Sequence, residues 1–452
     1  MSAPAVTPGI ALPEHGVEGS RGTMDVERST MRRVSRRILP FTFVLYIFNF
    51  LDRSNVGLAA LQMNKDLAFS PGAFGLGAGI FFIGYALFEV PSNLLLVRVG
   101  ARRWIARIMI TWGLIASAMM FVRSPSQFYV LRFLLGVAEA GFFPAIIYYL
   151  SQWFPSSMRA SSMAKFMIAI PLSGLLGGPL GGWLLGFDGS GGLRGWQWLF
   201  LLEGLPSVVL GLVALRYLPD RPSDAEWLTS SERSWLAARL EQDKREHPSD
   251  HRMPPLRALL HPLVWLAAII QLLLTTASYG YLFWGPLLIR DTLHISNFAT
   301  GMLTGAIAVL SAAGLLLVGA SSDRSGERPL HAAACAAFAM LGCIGAAVSS
   351  DPWWVFASLA LMQISVVSFL APFVTIPTML LSGGSAAVGI ALVNAIGSVG
   401  GFIGPYLIGF MRTRTGGDTG AFIVLAIMAA VATGILLYLR GSAPLARRMA
   451  AP

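Results

Sequence analysis

Twelve stretches of about 20 predominantly apolar residues run along this chain, and they decide most of what it can fold into. They fall at about 38–61, 74–96, 104–122, 127–150, 163–186, 196–218, 262–288, 298–320, 330–349, 352–376, 385–410 and 419–440. Each is long enough to cross the hydrocarbon of a bilayer as a helix. The 452 residues are 55% hydrophobic and 12% charged, about half the charge of an average soluble protein. A water-soluble fold cannot hide that surface, so the expected fold class is an all-α polytopic membrane protein. Residues 1–37 are polar, rich in Pro, Gly and Arg, and carry no cleavable leader pattern. They read as an N-terminal tail, disordered up to about Thr30.

The formal charge of +10 invites a nucleic-acid reading, but its distribution argues against one. With the N-terminus inside, 23 of the 33 Lys and Arg fall on the inner side. Six fall on the outer side: Lys65, Arg123, Arg194, Arg290, Arg412 and Arg414. That asymmetry orients the chain, with both termini cytoplasmic, and no nucleic-acid partner is expected. Cys335 and Cys343, eight apart in the ninth run, share a helix face some 12 Å apart, too far for a disulfide.

Residues 219–261 are the only long polar stretch between runs and divide the twelve into six and six. Within this linker, Thr229-Ser230-Ser231-Glu232 has the form of a capping box, and Trp235, Leu236 and Leu240 give the short helix after it an apolar stripe suited to the inner membrane surface. The halves are related to one another. Loop 2–3 has Arg98, Gly100 and Arg102, and loop 8–9 has Arg324, Gly326 and Arg328; the offset of 226 also joins Pro179 to Pro405. A constant offset across separate motifs implies a duplicated six-helix unit, 38–218 and 262–440, with a C-terminal tail at 441–452.

Charges inside the runs are rare and one-sided. Insertion scales put a charge at a helix centre at roughly 2.5–3.5 kcal/mol, so Asp52 and Arg53 in the first run must line a polar interior. The 226 offset maps Asp52 to Ser278, Arg53 to Tyr279, Glu89 to Leu315, Arg132 to Ser358 and Glu139 to Ser365. Ion coupling and anion capture therefore belong to the first half. Arg132 and Glu139 share a face about 10 Å apart, too far for a bridge on one helix. A carboxyl without a close cation in low dielectric can bind and release protons near neutrality, the reading given to Glu139, against a Glu locked to an arginine as a structural pair. Asp52 and Arg53 lie about 100° apart on their helix and want different partners. Either Arg53 or Arg132 can clamp a carboxylate through two charged hydrogen bonds. Glu203 reads as a structural acid near a helix kink; Gln271, Asn394 and Ser398 read as interhelical hydrogen-bonding groups. Glycines at four-residue spacing (Gly174, Gly178, Gly182; Gly397, Gly401) read as close-packing faces. No nucleophile–base or metal-ligand cluster occurs, so neither an enzyme nor a cofactor is expected.

Parallel six-helix halves are the plan of the major facilitator superfamily. The segment Gly319-x-x-x-Asp323-Arg324-x-Gly326-x-Arg328 resembles its signature turn, with Arg98, Gly100 and Arg102 a first copy lacking the acid at Val97. Six segments resemble the anion:cation symporter family: Leu51-Asp52-Arg53-Ser54-Asn55, Phe88-Glu89-Val90-Pro91-Ser92-Asn93, Val99-Gly100-Ala101-Arg102-Arg103-Trp104, Arg132-x6-Glu139-Ala140-Gly141-Phe142-Phe143-Pro144, Pro171-Leu172-Ser173-Gly174 and Gly401-Phe402-Ile403-Gly404-Pro405-Tyr406. The resemblance covers about Leu39 to Leu437. It implies a proton-coupled importer of small organic carboxylates in the cell inner membrane, with no cofactor beyond the coupling protons. It further implies Asp52 and Glu139 as proton sites, Arg53 on the substrate carboxylate, Arg132 beside the coupling glutamate, and Tyr85 and Asn394 at substrate-contacting positions. Val374 stands where many relatives carry Trp, so no single substrate follows. A monomer is expected. An efflux antiporter of the same fold and a transport-dead sensor are the competing readings.

Overall fold

The computed structural model describes residues 15–246, 261–376 and 384–441. The expectations for residues 1–14, for 247–260 of the linker and for the tail from 442 lie outside the described residues. Among the described residues, twelve helices are long and apolar enough to cross a membrane, matching the twelve apolar runs. The first bundle comprises α1 (His15–Asp66), α2 (Pro71–Val99), α3 (Ala101–Ala118), α4 (Pro125–Glu139), α5 (Phe142–Ser151), α6 (Ser156–Met167), α7 (Ala169–Leu184) and α8 (Gly195–Tyr217). The fourth span is α4 with α5, and the fifth is α6 with α7. After the linker helix α9 (Ser230–Glu246), the second bundle comprises α10 (Pro262–Leu293), α11 (Asn297–Ser325), α12 (Arg328–Val348), α13 (Pro352–Phe373), α14 (Gly384–Thr415) and α15 (Thr419–Gly441). The protein is an all-α polytopic membrane protein of two six-helix bundles. Helices α2, α4, α11 and α13 start with Ser70, Ser124, Ser296 and Asp351 as N-caps, three of them followed by proline.

Small residues bring the bundles together. A Cβ on Gly178 of α7 would lie 2.3 Å from the Gly301 carbonyl of α11, and one on Gly75 of α2 would lie 2.5 Å from the Pro405 carbonyl of α14. Gly174, Gly182, Gly401 and Gly409 make similar approaches across the interface. The expected close-packing faces at Gly174, Gly178, Gly182 and Gly401 thus turn out to be the seam between bundles. Gly397 instead packs on Gln271 within the second bundle. The glycine approaches between bundles run from mid-depth toward the face opposite the termini, where the Gly72 amide donates to Thr413 Oγ1 at 2.9 Å. The structure is closed on that face.

Two expectations about the polar segments are corrected. Helix α1 begins at His15 rather than near Thr30, and both Thr30 and Val34 are fully buried. Around Thr30 the helix is held by α9, whose Glu232 accepts hydrogen bonds from Ser29 Oγ at 2.9 Å and Arg33 Nη1 at 3.0 Å. The capping box itself forms as read, with the Thr229 amide on Glu232 Oε2 at 2.9 Å and the Glu232 amide on Thr229 Oγ1 at 3.3 Å. The apolar stripe of α9, however, faces protein. Leu236 is fully buried, and Trp235 and Leu240 pack against the core rather than lying on a membrane surface.

Candidate functional site

The interior of the first bundle is built where α1, α2 and α4 converge. Asp52 and Arg53 sit in the second half of α1 and diverge, as neighbours on a helix must. Asp52 is buried and accepts a hydrogen bond from Asn55 Nδ2 at 3.0 Å. Arg53 reaches across to α4 and pairs through Nη2 with Glu139 Oε1. Glu139 is 1% exposed while the guanidinium side chain keeps 16% exposure, so the cation is the open member of the pair. The absence of a nearby cation assumed for Glu139 is therefore corrected: its own helix offers none, and α1 supplies one.

Arg132 is fully buried and turns elsewhere. Its Nε and Nη2 donate to the carbonyls of Gly77 and Ala78 on α2 at 3.3 and 3.0 Å. Its guanidinium carbon lies 4.8 Å from the Phe81 ring centre and 5.5 Å from that of Phe283 in the second bundle. Arg53 lies 5.5 Å from the same Phe81 ring and 5.3 Å from Tyr85. Phe81 is thus shared by two guanidinium groups, each within cation–π range of its ring.

The fourth span is broken at Glu139. Helix α4 ends there, and Gly141 takes φ +84° before α5 begins. A Cβ on Gly141 would lie 2.3 Å from Ser92 Oγ. Ser92 in turn donates to the Ala140 carbonyl at 2.6 Å and accepts from Trp104 Nε1 at 3.0 Å. Glutamate 139 therefore stands at a joint that α2 and α3 hold in place.

The second bundle faces this centre with neutral groups. Tyr279 lies within electrostatic reach of Arg53, as does Tyr46 of α1, and the Tyr279 ring meets Phe82 edge-on at 4.5 Å. Neither tyrosine was among the residues singled out from the sequence, although Tyr46 is seven before Arg53 and Tyr279 is its repeat counterpart. Asn394 is exposed on α14, and its carbonyl accepts from Ser398 Oγ at 3.0 Å. Ser358 and Ser365 are buried, and Val374 is exposed at the end of α13. Among the described residues, the buried charges of the spans (Asp52, Arg132, Glu139, Glu203) all lie in the first bundle.

At the terminal face each signature turn is made at a glycine, but the two differ in conformation: Gly100 has ψ 148° and joins its helices directly, whereas Gly326 is left-handed helical with ψ −5° and Glu327 follows it before the next helix. Gly100 and Gly326 both take positive φ, +94° and +70°, which glycine alone enters without strain. Asp323 pairs with Arg328 at 3.5 Å, and Glu327 with Arg440 at 3.2 Å. In the first copy, where Val97 replaces the acid, Asp220 after α8 takes both the Arg102 amide and its Nε at 3.1 Å. Arg98 and Arg324 are exposed beside the turns, and Gly319 packs against Ala371.

Two pseudo-symmetric bundles, paired turn motifs and interior ionisable groups in one half define a secondary transporter, not an enzyme. The chain belongs to the Major Facilitator Superfamily, whose sequence profile matches residues 42–405 and again 267–449. It is 43% identical over 93% of its length, and 94% of the relative's, to an Agrobacterium vitis protein named "Putative tartrate transporter". It is 40% identical to the "Quinolone resistance transporter" of Acinetobacter baumannii, covering 90% and 93% of the two chains. To the "Inner membrane transport protein RhmT" of Escherichia coli K12 it is 38% identical, covering 89% and 94%. Its fold matches that of a bacterial homolog of the lysosomal transporter Spinster, crystallised inward-facing and unoccupied, with TM-score 0.73 at 16% identity over 93% and 99% of the chains. The expected kinship with anion:cation symporters accords with the tartrate-transporter relative.

Proposed function

We propose that this protein is a proton-coupled symporter that imports a small organic carboxylate across the cell inner membrane, acting as a monomer. The observation that carries this is the Arg53–Glu139 pair, a partly exposed guanidinium held by a buried carboxylate. A substrate carboxylate and Glu139 compete for one planar fork of donors. Proton binding to Glu139 frees Arg53 for the anion, and proton release on the other side restores the internal pair and expels the substrate. Arg132, fixed by the Gly77 and Ala78 carbonyls, adds positive potential to the same interior. Asp52 is a second proton site, and Tyr85 and Asn394 complete the substrate's outline.

The bundles 38–218 and 262–440 are the bodies that rock, and the signature turns with Asp220, Asp323 and Glu327 are latches on the cytoplasmic face. The Lys and Arg asymmetry favours cytoplasmic termini, which makes the closed face the periplasmic one. One proton with a monoanion is electroneutral. Two protons carry net +1, worth roughly 2.3 kcal/mol per 100 mV.

The test is uptake of hydroxy, sugar and aromatic acids into proteoliposomes under an imposed pH gradient. Glu139→Gln is expected to keep substrate counterflow and to lose pH-driven accumulation. Accumulation retained in that variant would refute the coupling role. The quinolone-resistance relative favours a second reading, a proton-driven efflux antiporter. Extrusion of an aromatic drug with no carboxylate uptake would establish that reading instead.

A further inference from the structure

Helix α8 buries one face, with Phe200, Ser207, Gly211 and Ala214, and exposes the other. The exposed stripe runs through Leu202, Leu205, Val209 and Leu212, at alternating steps of three and four residues that keep it on one side of the helix. A stripe that is aliphatic over most of a span is a surface for hydrocarbon. One more step of four reaches Arg216, exposed in the last turn of α8. The lipid-facing side of this span therefore ends in a cation.

At that end a groove of about 300 Å³ opens between α8 and α1, lined by Arg37, Val209, Leu212, Val213, Arg216 and Tyr217. Arg37 immediately precedes the apolar run of α1, so both arginines stand at one edge of the membrane-spanning zone. No acid lines the groove. Among the described residues, neither arginine forms an ion pair. Arg37 is held by rings instead, its guanidinium carbon 4.7 Å from the Tyr217 ring centre and 5.5 Å from that of Trp227. The Tyr217 hydroxyl donates to the Arg37 carbonyl at 3.3 Å, and its ring lies 4.6 Å from that of Phe41. These contacts position the guanidinium without neutralising it.

The surface is thus graded, aliphatic toward the bilayer centre and doubly cationic at its edge. A phosphate ester that carries acyl chains has the same grading. Guanidinium groups match phosphate oxygens through paired N–H donors, and basic pockets between spans suit anionic headgroups. A choline ammonium would find no counter-ion here. A second copy seated on α8 in the same membrane orientation would set its own Arg216 against this one, because a two-fold contact repeats the same patch.

We propose that the groove between α1 and α8 binds an anionic phospholipid. Arg37 and Arg216 hold the headgroup phosphate, and an acyl chain lies along Val213, Leu212, Val209 and Leu205. The Lys and Arg asymmetry favours this edge as the cytoplasmic one, which makes the lipid one of the inner leaflet.

The test is native mass spectrometry of the purified full chain in detergent, titrated with phosphatidylglycerol or phosphatidylcholine. The wild type should retain phosphatidylglycerol preferentially. Arg216→Gln should weaken its binding about fivefold, and Arg37→Gln with Arg216→Gln about thirtyfold, while phosphatidylcholine binding stays unchanged. Val213→Trp fills the groove, keeps both cations, and should also weaken phosphatidylglycerol. Arg103→Gln removes an exposed cation outside the groove and should leave binding at the wild-type level. Arg216 is exposed, so its variant decides the matter even if Arg37→Gln fails to fold. Equal retention of the two lipids would overturn the proposal, as would wild-type binding by the double variant or an equal loss in Arg103→Gln. Displacement of the lipid by glycerophosphoglycerol, the same headgroup without chains, would reduce the site to one for small anions and also overturn it. A dimer that the double variant disperses, with both lipids bound alike, would assign the groove to a second copy instead. The measurement needs no transported substrate, so it is independent of the symport reading.

Discussion

Arginine 53 shows how little of a charge's role is set by its charge alone. It and Arg132 are both planar cations inside one bundle, yet Arg132 is bound to two main-chain carbonyls and Arg53 to a titratable side chain. A carbonyl cannot be protonated away near neutrality, so Arg132 is a fixed charge and Arg53 a releasable one. Arg53→Lys keeps the charge and loses the fork. With charged hydrogen bonds worth about 1.5–3 kcal/mol each, KM for the carboxylate should rise at least about tenfold while the protein still inserts and stays monodisperse. Steady-state uptake kinetics at fixed pH measure this, and an unchanged KM would move the anion site away from Arg53. The presence of Asp52, Arg53, Arg132 and Glu139 in the interior was legible in the sequence, because charge inside an apolar run has nowhere else to go. Their pairing was not. It depends on how α1 and α4 rotate against each other, which neither helix encodes by itself. The repeat did point to Tyr279 as the counterpart of Arg53, but not to its position beside it.

At the scale of elements, the break in the fourth span and the linker helix each turn a local signal into tertiary placement. Gly141→Ala forces a side chain into a left-handed backbone position and against Ser92. It should lower the thermal midpoint and depress transport, because both Ser92 and the end of α4 must shift to admit the methyl group. Ser92→Ala adds no atoms to the joint and should be milder, costing about 1–3 kcal/mol for each of the two groups it leaves unpartnered, the Ala140 carbonyl and Trp104 Nε1. Thermal unfolding of the two variants in detergent ranks them, and a silent Gly141→Ala would contradict the geometry. In α9, burial pushes the Glu232 carboxyl up, but the Thr229 amide, Ser29, Thr229 Oγ1 and Arg33 outweigh it and hold it below its ordinary value of 4.5. A carboxyl held low when folded stabilises the docked state above the ordinary value, and the contribution disappears as pH falls through the lowered one. Docking of α9 on α1 should therefore be firm at neutrality and loosen in acid below that value. Glu232→Gln should reproduce the loosening at neutral pH as faster amide exchange at residues 26–35. The capping box was plain in the sequence. That α9 would spend its stripe on the protein was not, since an apolar stripe fits lipid and protein equally well.

At the scale of the whole molecule, the duplicated plan puts two glycine-lined seams, α2 with α14 and α7 with α11, on either side of an interior charged on one half only. Where backbone meets backbone, at Gly75 with Pro405 and Gly178 with Gly301, there is little side-chain interdigitation to undo, whereas Phe74 with Trp284 and Phe82 with Tyr279 are the ring contacts that must part as the bundles separate. This gives an alternating-access reading a mechanical consequence at the face now shut. A Cβ on Gly72 would lie 4.0 Å from the Thr413 Cβ, within the span that a disulfide bridges. The native Cys335 and Cys343 are both buried and unbridged, so they leave an engineered pair free to react with itself. Oxidation of Gly72→Cys with Thr413→Cys should join the bundles at that face, abolish transport, and leave substrate reaching the interior from the terminal face only. Reduction should restore uptake. Each single cysteine should transport with or without oxidant, which separates the cross-link from any local effect of substitution. Full transport by the oxidised double variant, with the cross-link verified by mass spectrometry, would show that this face need not open. The rocking of two bundles about the Arg53–Glu139 centre would then have to be abandoned.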